Sequence, residues 1–222
     1  NRARAAAEAK MRIKDDLTYD DLGLVQPEGG GEVGEKSRPF SSKRKIPNPE
    51  DASALCLIDK ITGEKFRFNS REELSQFKYQ RYIKRYLRTI VSIDESVGRL
   101  LDFLDTHNLA KDTLVIYTSD QGFFLGEHGW FDKRFMYEES LQMPFLARFP
   151  SEVAAGSICS QIACNVDFAP TFLDFAGLTI PSYMQGESLR PLLNQTDIQN
   201  WQQVAYHLSL IHISEPTRQS KI

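Results

Sequence analysis

The fold of this chain is limited most by a long amphipathic segment that leads into a short apolar run. Residues 71–107 predict one helix, with a capping box at Ser70 and Glu73. Its apolar residues recur at three- and four-residue spacing and predict one buried stripe: Ile83, Tyr86, Leu87, Ile90, Val97, Leu101 and Leu104. The run 113–118 is rich in β-branched residues and predicts a strand buried on both faces. A helix followed by such a strand indicates an α/β fold, a layered mixed sheet flanked by helices.

The segments on either side of this pair are less regular. Residues 1–24 begin as a helical stretch rich in Ala, Arg, Glu and Lys, and Pro, Gly and Ser then predict an irregular excursion over 25–51. Towards the C-terminus we expect a strand at 144–149 and a helix at 167–175 that Asp167 caps.

Composition excludes two classes of partner. The chain of 222 residues has 27 Lys and Arg against 30 Asp and Glu, and it shows no basic patch of the kind that binds nucleic acid. No apolar run approaches the roughly 18–20 residues that cross a bilayer, so no membrane span is predicted. Three cysteines without metal-ligand spacing are interpreted as ordinary thiols. The oligomeric state is not predicted by any of these features.

The residues that carry chemistry lie in 119–134, directly after the predicted strand. In open α/β sheets, ligands bind beyond the carboxyl ends of the strands. Asp120 and Gln121 would supply a carboxylate and an amide oxygen there, which suit a hard cation such as Ca²⁺ better than zinc. Gly122 allows a sharp turn, and His128 and Lys133 then return possible donors to the same place.

Taken one at a time, these residues are explained as well without chemistry. Asp120 after a strand is equally a cap or turn residue, and Gln121 a solvated loop residue. His128 alone is a structural or surface histidine, and Lys133 alone a solvated charge. The neighbouring Arg134 is interpreted as solvated or paired with a glutamate one helical turn away. Only their occurrence together within 119–134 favours a ligand-binding site.

That combination, with the runs that follow it, resembles the sulfatases of the alkaline-phosphatase-like superfamily. The resemblance covers residues 70–207 and rests on SDQGFFLGEHGWFDKR at 119–134, FMYEES at 135–140, PFLARFP at 144–150, DFAPTFLDFAG at 167–177 and QGESL at 185–189. It implies the alkaline-phosphatase-like α/β fold and hydrolysis of sulfate esters. It also implies that Asp120 and Gln121 are two ligands of one Ca²⁺, that Lys133 binds a sulfate oxygen, and that His128 faces the scissile ester, either as a hydrogen-bond donor or as the acid for the leaving oxygen.

The resemblance further implies a formylglycine nucleophile made from Cys or Ser in a Cys/Ser-x-Pro-x-Arg motif. Cys56, Cys159 and Cys164 lack the Pro and the Arg, and Ser37 has Ser41 at the Arg position. The paired Asp residues that complete the calcium site are also not found after an apolar strand. We therefore expect a catalytic domain truncated at both ends, in which the N-terminal half supplies the nucleophile and the remaining ligands. On this interpretation the chain alone is inactive.

The last fifteen residues differ in character from the rest. From Leu208 the sequence reads LSLIHISEPTR, which resembles a translated sequencing adapter. Residues 208–222 are therefore interpreted as an artefact tail. The predicted organisation is an N-terminal helix and excursion over 1–69, the C-terminal part of the sulfatase catalytic domain over 70–207, and this tail.

The expected partner is a sulfated carbohydrate or another sulfate ester, and the expected location is the periplasm or the cell exterior. Two alternatives stay open. One is a phosphodiesterase or phosphonate monoester hydrolase of the same superfamily, against which Gln121 weighs because two-metal members place His beside that Asp. The other is a non-catalytic glycan-binding module that uses the aromatic residues of 123–131 as a stacking platform.

Overall fold

The computed structural model describes residues 4–26, 52–196 and 201–205. Its helices and strands, in chain order, are α1 Arg4–Ala7, β1 Leu24–Val25, β2 Cys56–Asp59, β3 Lys65–Arg67, α2 Arg71–Thr106, β4 Val115–Thr118, β5 Phe124–Leu125, β6 Phe131–Asp132, α3 Glu138–Leu141, β7 Phe145–Arg148, α4 Phe168–Phe175 and α5 Arg190–Leu193. Most of the predicted excursion and the whole of the 208–222 tail lie outside the described residues. No described helix is apolar enough over a sufficient length to cross a membrane.

The chain divides into two compact units. Unit 1 comprises Asn1–Phe103 and Tyr117–Phe145, and unit 2 comprises Leu104–Ile116 and Leu146–Ile222.

Unit 1 contains a three-stranded antiparallel sheet in the order β1-β2-β3. Leu57 in β2 is fully buried in its main apolar cluster. The predicted N-terminal helix is much shorter than expected, because only α1 forms and turns follow it. Asp21 explains part of this difference, since its carboxylate accepts hydrogen bonds from the backbone N–H and the hydroxyl of Thr18. Such local side-chain bonds favour turns over helix.

Helix α2 begins where the sequence predicts. The Ser70 hydroxyl oxygen accepts a hydrogen bond from the Glu73 N–H at 3.1 Å. The Glu73 carboxylate accepts the backbone N–H of Asn69 at 2.7 Å, one residue earlier than in a capping box. The predicted stripe is only partly covered: Leu104 is buried, whereas Leu87 is 51% exposed. The prediction of a single buried stripe is therefore wrong for the middle of the helix, where no described element covers Leu87.

Strand β4 confirms the predicted strand, and its hydrogen-bonded neighbour is β7. All four residues of β4 are half-buried. The prediction that β4 is buried on both faces is therefore wrong for the described part of the chain, because β4 and β7 form a two-stranded sheet with open edges.

Unit 2 contains α4 and α5. Asp167 precedes α4 but does not cap it, which corrects the prediction. Its buried carboxylate instead accepts the Cys164 N–H at 2.7 Å, the Glu187 N–H at 3.0 Å and the Gln202 side-chain amide at 3.0 Å. Thr171 reinforces this arrangement, because its hydroxyl donates to the Asp167 carbonyl at 2.6 Å and accepts the Leu189 N–H at 2.8 Å. We call this group of residues the Asp167 latch, since one carboxylate joins three separate segments.

Candidate active site

The end of β4 presents the two predicted metal ligands. Asp120 is exposed. Within the described residues, the only hydrogen bond to its carboxylate comes from the Ser119 hydroxyl, at 3.4 Å. Gln121 is half-buried and lines a groove of about 750 Å³ in unit 1. A carboxylate and an amide oxygen left without strong partners fit a calcium ion, which takes 6–8 oxygen ligands. The described residues contain no cluster of three or more His, Cys, Asp or Glu able to hold a metal. These two side chains would therefore supply only part of a coordination sphere.

Gly122 fixes the position of the backbone after these ligands. Its N–H donates to the Ser140 carbonyl at 3.0 Å. A Cβ atom at this position would lie 2.2 Å from the Glu139 carbonyl oxygen, so glycine allows the close approach. The contact holds the segment that carries Gln121 directly against α3, and Glu139 lines the same groove as Gln121.

The next residues form a short hairpin, in which β5 pairs with β6 in antiparallel register. The turn between the strands contains left-handed backbone at Gly126 (φ 124°), His128 (φ 59°) and Gly129 (φ 76°), and Asp132 at the end of β6 has φ 71°. Two of these four residues are not glycine. A non-glycine residue with positive φ is uncommon and marks a segment held by its surroundings.

The N-terminal segment of unit 1 supports this hairpin. The N–H of Ile13 donates to the Gly129 carbonyl, and the N–H of Phe131 donates to the Met11 carbonyl, both at 2.9 Å. Met11 also packs with Phe124 and Trp130 in a buried apolar cluster. No expectation drawn from the sequence linked residues 11–13 to the site. Their alternation of apolar, charged and apolar residues is the signal that could have done so.

Helix α2 supports the hairpin from another direction. The hydroxyl of Tyr82 donates to the Phe124 carbonyl at 2.7 Å. Burial raises the pKa of Tyr82 well above its ordinary value, so the phenol keeps the proton that it donates. A Cβ at Gly126 would lie 2.6 Å from the Tyr79 ring, which shows how closely the turn approaches the helix.

His128 lies among aromatic rings and beside a carboxylate. The centroid of its ring is 6.0 Å from that of Phe124, 5.4 Å from Trp130 and 5.0 Å from Tyr137. Its Nε2 atom lies 3.1 Å from Oε1 of Glu139. No pattern in the sequence pointed to this pairing, because the two residues are eleven positions apart, one in the turn of the hairpin and the other in α3.

Lys133 and Arg134 differ although they are adjacent. The Arg134 Nε donates to the Asp132 carboxylate at 2.8 Å, and the Arg134 side chain stays 45% exposed, in line with the expected solvated charge. Lys133 is exposed and has no hydrogen bond or ion pair to any described residue. Its charge is therefore available to an anion. Gln121 and Glu139 line the same groove, and Glu139 pairs with His128. No described side-chain contact joins Asp120 or Lys133 to these three residues.

The similar proteins are mostly sulfatases, and two similar solved structures are phosphonate monoester hydrolases. The family described as N-sulphoglucosamine sulphohydrolase, C-terminal, matches residues 126–214. An N-acetylglucosamine-6-O-sulfatase of Bacteroides thetaiotaomicron is 43% identical over 93% of this chain and 38% of its own length. An extracellular sulfatase SULF-1 homolog of Drosophila melanogaster is 39% identical over 70% of this chain and 13% of its own. A solved structure of BT4656 in complex with its substrate, D-glucosamine-2-N,6-O-disulfate, matches 93% of this chain and 42% of that one, with 40% identity and a TM-score of 0.72.

The chain belongs to the sulfatase family. It has the alkaline-phosphatase-like α/β fold and corresponds to the C-terminal part of that fold. It spans less than half the length of the relatives named above.

A further short match to the formylglycine pattern lies near the C-terminus. Ser214, Pro216 and Arg218 have the spacing of Ser-x-Pro-x-Arg. They lie in the 208–222 tail, outside the described residues. A test of activity therefore has to include a variant of Ser214.

Proposed function

We propose that this sulfatase-family chain supplies part of the calcium and sulfate site of a sulfuric ester hydrolase that acts on sulfated glycans. The observation that supports this most strongly is the 43% identity to an N-acetylglucosamine-6-O-sulfatase over nearly the whole chain. The substrate bound in the similar BT4656 structure is a sulfated glucosamine, so a sulfated amino sugar is the proposed substrate class. The similarity to an extracellular sulfatase favours a secreted or periplasmic location.

The roles proposed for the four side chains follow from their chemistry. Asp120 and Gln121 would offer two oxygen ligands to one calcium ion, which when bound orients the ester and neutralises charge on its oxygens. Lys133 would bind a sulfate oxygen through its compact ammonium group, which has no competing partner among the described residues. His128 would lie beside the ester oxygen that leaves.

The nucleophile is proposed to come from a segment other than the described residues. None of Cys56, Cys159 and Cys164 is followed by Pro and Arg at the required spacing. We therefore expect no sulfate release from 6-O-sulfated N-acetylglucosamine by the 222-residue chain with calcium present. Turnover that Ser214→Ala abolishes would contradict this expectation and would place the nucleophile in the tail.

The proposed site can be tested without turnover. Backbone amide NMR shifts are followed while CaCl₂ and then sodium sulfate are added to the chain. We expect calcium to shift the amides of residues 119–122 and sulfate to shift those near residue 133. Asp120→Asn should remove the first response. Lys133→Ala should weaken sulfate binding roughly tenfold or more, because a charge-assisted hydrogen bond contributes about 1.5–3 kcal/mol.

Arg134→Ala is the matched control, because it removes the neighbouring cation that already pairs with Asp132. Equal loss of sulfate binding in the Arg134 and Lys133 variants would contradict the role of Lys133. Stronger binding of a phosphonate monoester than of sulfate would favour the phosphonate hydrolase alternative. Binding of a sulfated glycan that is independent of calcium would favour the glycan-binding module.

A further inference from the structure

The geometry points to Glu139 as a positioning residue that holds the His128 imidazole in its Nε2–H form and leaves Nδ1 as the atom that meets a ligand. The identity of that ligand rests on the function proposed above. The orientation of the ring does not.

The chemistry of the two partners determines which nitrogen carries the proton. Nε2 of His128 lies 3.1 Å from Oε1 of Glu139, within hydrogen-bond distance. An ionised carboxylate only accepts hydrogen bonds, and a neutral imidazole has one donor and one acceptor nitrogen. Nε2 must therefore carry the proton. Nδ1 has no hydrogen-bond partner among the described residues, and its lone pair stays available.

Aromatic rings surround the His128 side chain. The His128 ring lies within 6.0 Å, centroid to centroid, of Phe124, Trp130 and Tyr137. Its backbone is left-handed (φ 59°), an uncommon conformation for a residue other than glycine. The two side chains are 33% and 25% exposed, so the pair is only partly screened by solvent.

The backbone of Glu139 is in close contact with Gly122. The Gly122 N–H donates to the carbonyl of Ser140, and Gly122 leaves no room for a Cβ beside the Glu139 carbonyl. Helix α3, which carries Glu139, is thus fixed to the segment that carries Gln121. One short helix therefore sets the position of His128 relative to the proposed calcium ligand.

This arrangement limits what His128 can do. In its neutral form the residue offers an acceptor at Nδ1. It donates to a leaving oxygen from Nδ1 only when both nitrogens carry protons, and the Glu139 carboxylate then balances the positive charge. Glu127, the neighbouring carboxylate, is engaged elsewhere because it accepts the Leu125 N–H at 2.7 Å. Glu139 is thus the carboxylate that decides the form of the ring.

The test is a long-range ¹H–¹⁵N correlation spectrum of the chain with ¹⁵N-labelled histidine, recorded at alkaline pH where imidazole is neutral. The signal of His128 is assigned by its loss in His128→Gln. We expect a single Nε2–H pattern in the wild type and a mixture of both tautomers in Glu139→Ala. Glu138→Ala, which removes the adjacent carboxylate of α3, should leave the pattern unchanged.

An Nδ1–H pattern in the wild type, or an unaltered pattern in Glu139→Ala, would overturn the inference. If Glu139→Ala does not fold, Glu139→Gln keeps the size of the side chain, and its amide can donate to Nε2, so the Nδ1–H form should gain population. The measurement needs neither calcium nor sulfate. A negative result here therefore leaves the proposed function standing, and absence of calcium binding leaves this inference standing.

Discussion

The Asp167 latch and the loop 119–134 use charged side chains in opposite ways. In the latch, one fully buried carboxylate accepts three hydrogen bonds, two of them from backbone N–H groups. In the loop, Asp120 and Lys133 are exposed and have no strong partner among the described residues, and the backbone takes left-handed conformations at His128 and Asp132. A charge whose hydrogen bonds are satisfied inside the protein contributes to stability. A charge left unpaired on a constrained loop is available to a ligand.

The largest expected effect is the loss of stability when the buried Asp167 carboxylate is removed. Asp167→Ala removes the acceptor of the Cys164 and Glu187 N–H groups and leaves both without a partner. We expect the free energy of unfolding to fall by roughly 1.5–3 kcal/mol, since both donors are only partly buried and a hydrogen bond to a charged group contributes about 1.5–3 kcal/mol. Urea denaturation measures this fall. Asp112→Ala, which removes an exposed carboxylate from the same unit, should change stability by less than about 0.5 kcal/mol.

A buried lysine in unit 1 tests whether burial decides the role of a charge, whichever unit carries it. Lys78 in α2 is 1% exposed, and its Nζ donates to the Lys14 carbonyl at 2.8 Å. Burial lowers the pKa of Lys78 to about 8 from an ordinary value of 10.5. Between these values the unfolded chain binds more protons than the folded chain, so stability should rise as the pH rises from 8 to 10.5.

The rise should amount to at most about 3.5 kcal/mol, because one pKa unit corresponds to about 1.4 kcal/mol. Lys78→Met should remove it, and Lys84→Met, at an exposed position of the same helix, should keep it. Denaturant titrations at several pH values check both variants. A rise that survives in Lys78→Met would show that another group causes it.

The smallest expected effect is on the loop side of the comparison. Lys133→Ala should change the free energy of unfolding by less than about 0.5 kcal/mol, because the side chain is exposed and has no described partner. The same variant should lose sulfate binding. A stability loss as large as that of Asp167→Ala would end the distinction between the two regions.

Part of the site followed from sequence, and part did not. The strand before Asp120 and the cap at Ser70 were predicted because both depend on local spacing. The Glu139 partner of His128 and the support from residues 11–13 were not predicted, because they join segments far apart in the chain. Lys133 and Arg134 also could not be told apart from sequence, because they are adjacent and of like charge. Only the structure shows that Arg134 pairs with Asp132 while Lys133 has no described partner.

The sequence by itself determined the α/β class, the order of the main helix and strands, the sulfatase family and the four residues proposed for the site. These depend on periodicity and on motifs whose residues are adjacent. Only the tertiary structure decided that Asp167 joins three segments instead of capping a helix, and that Glu139 meets His128. The physical reason is that a hydrogen bond forms between groups that folding brings within about 3 Å, and spacing along the chain does not encode that distance.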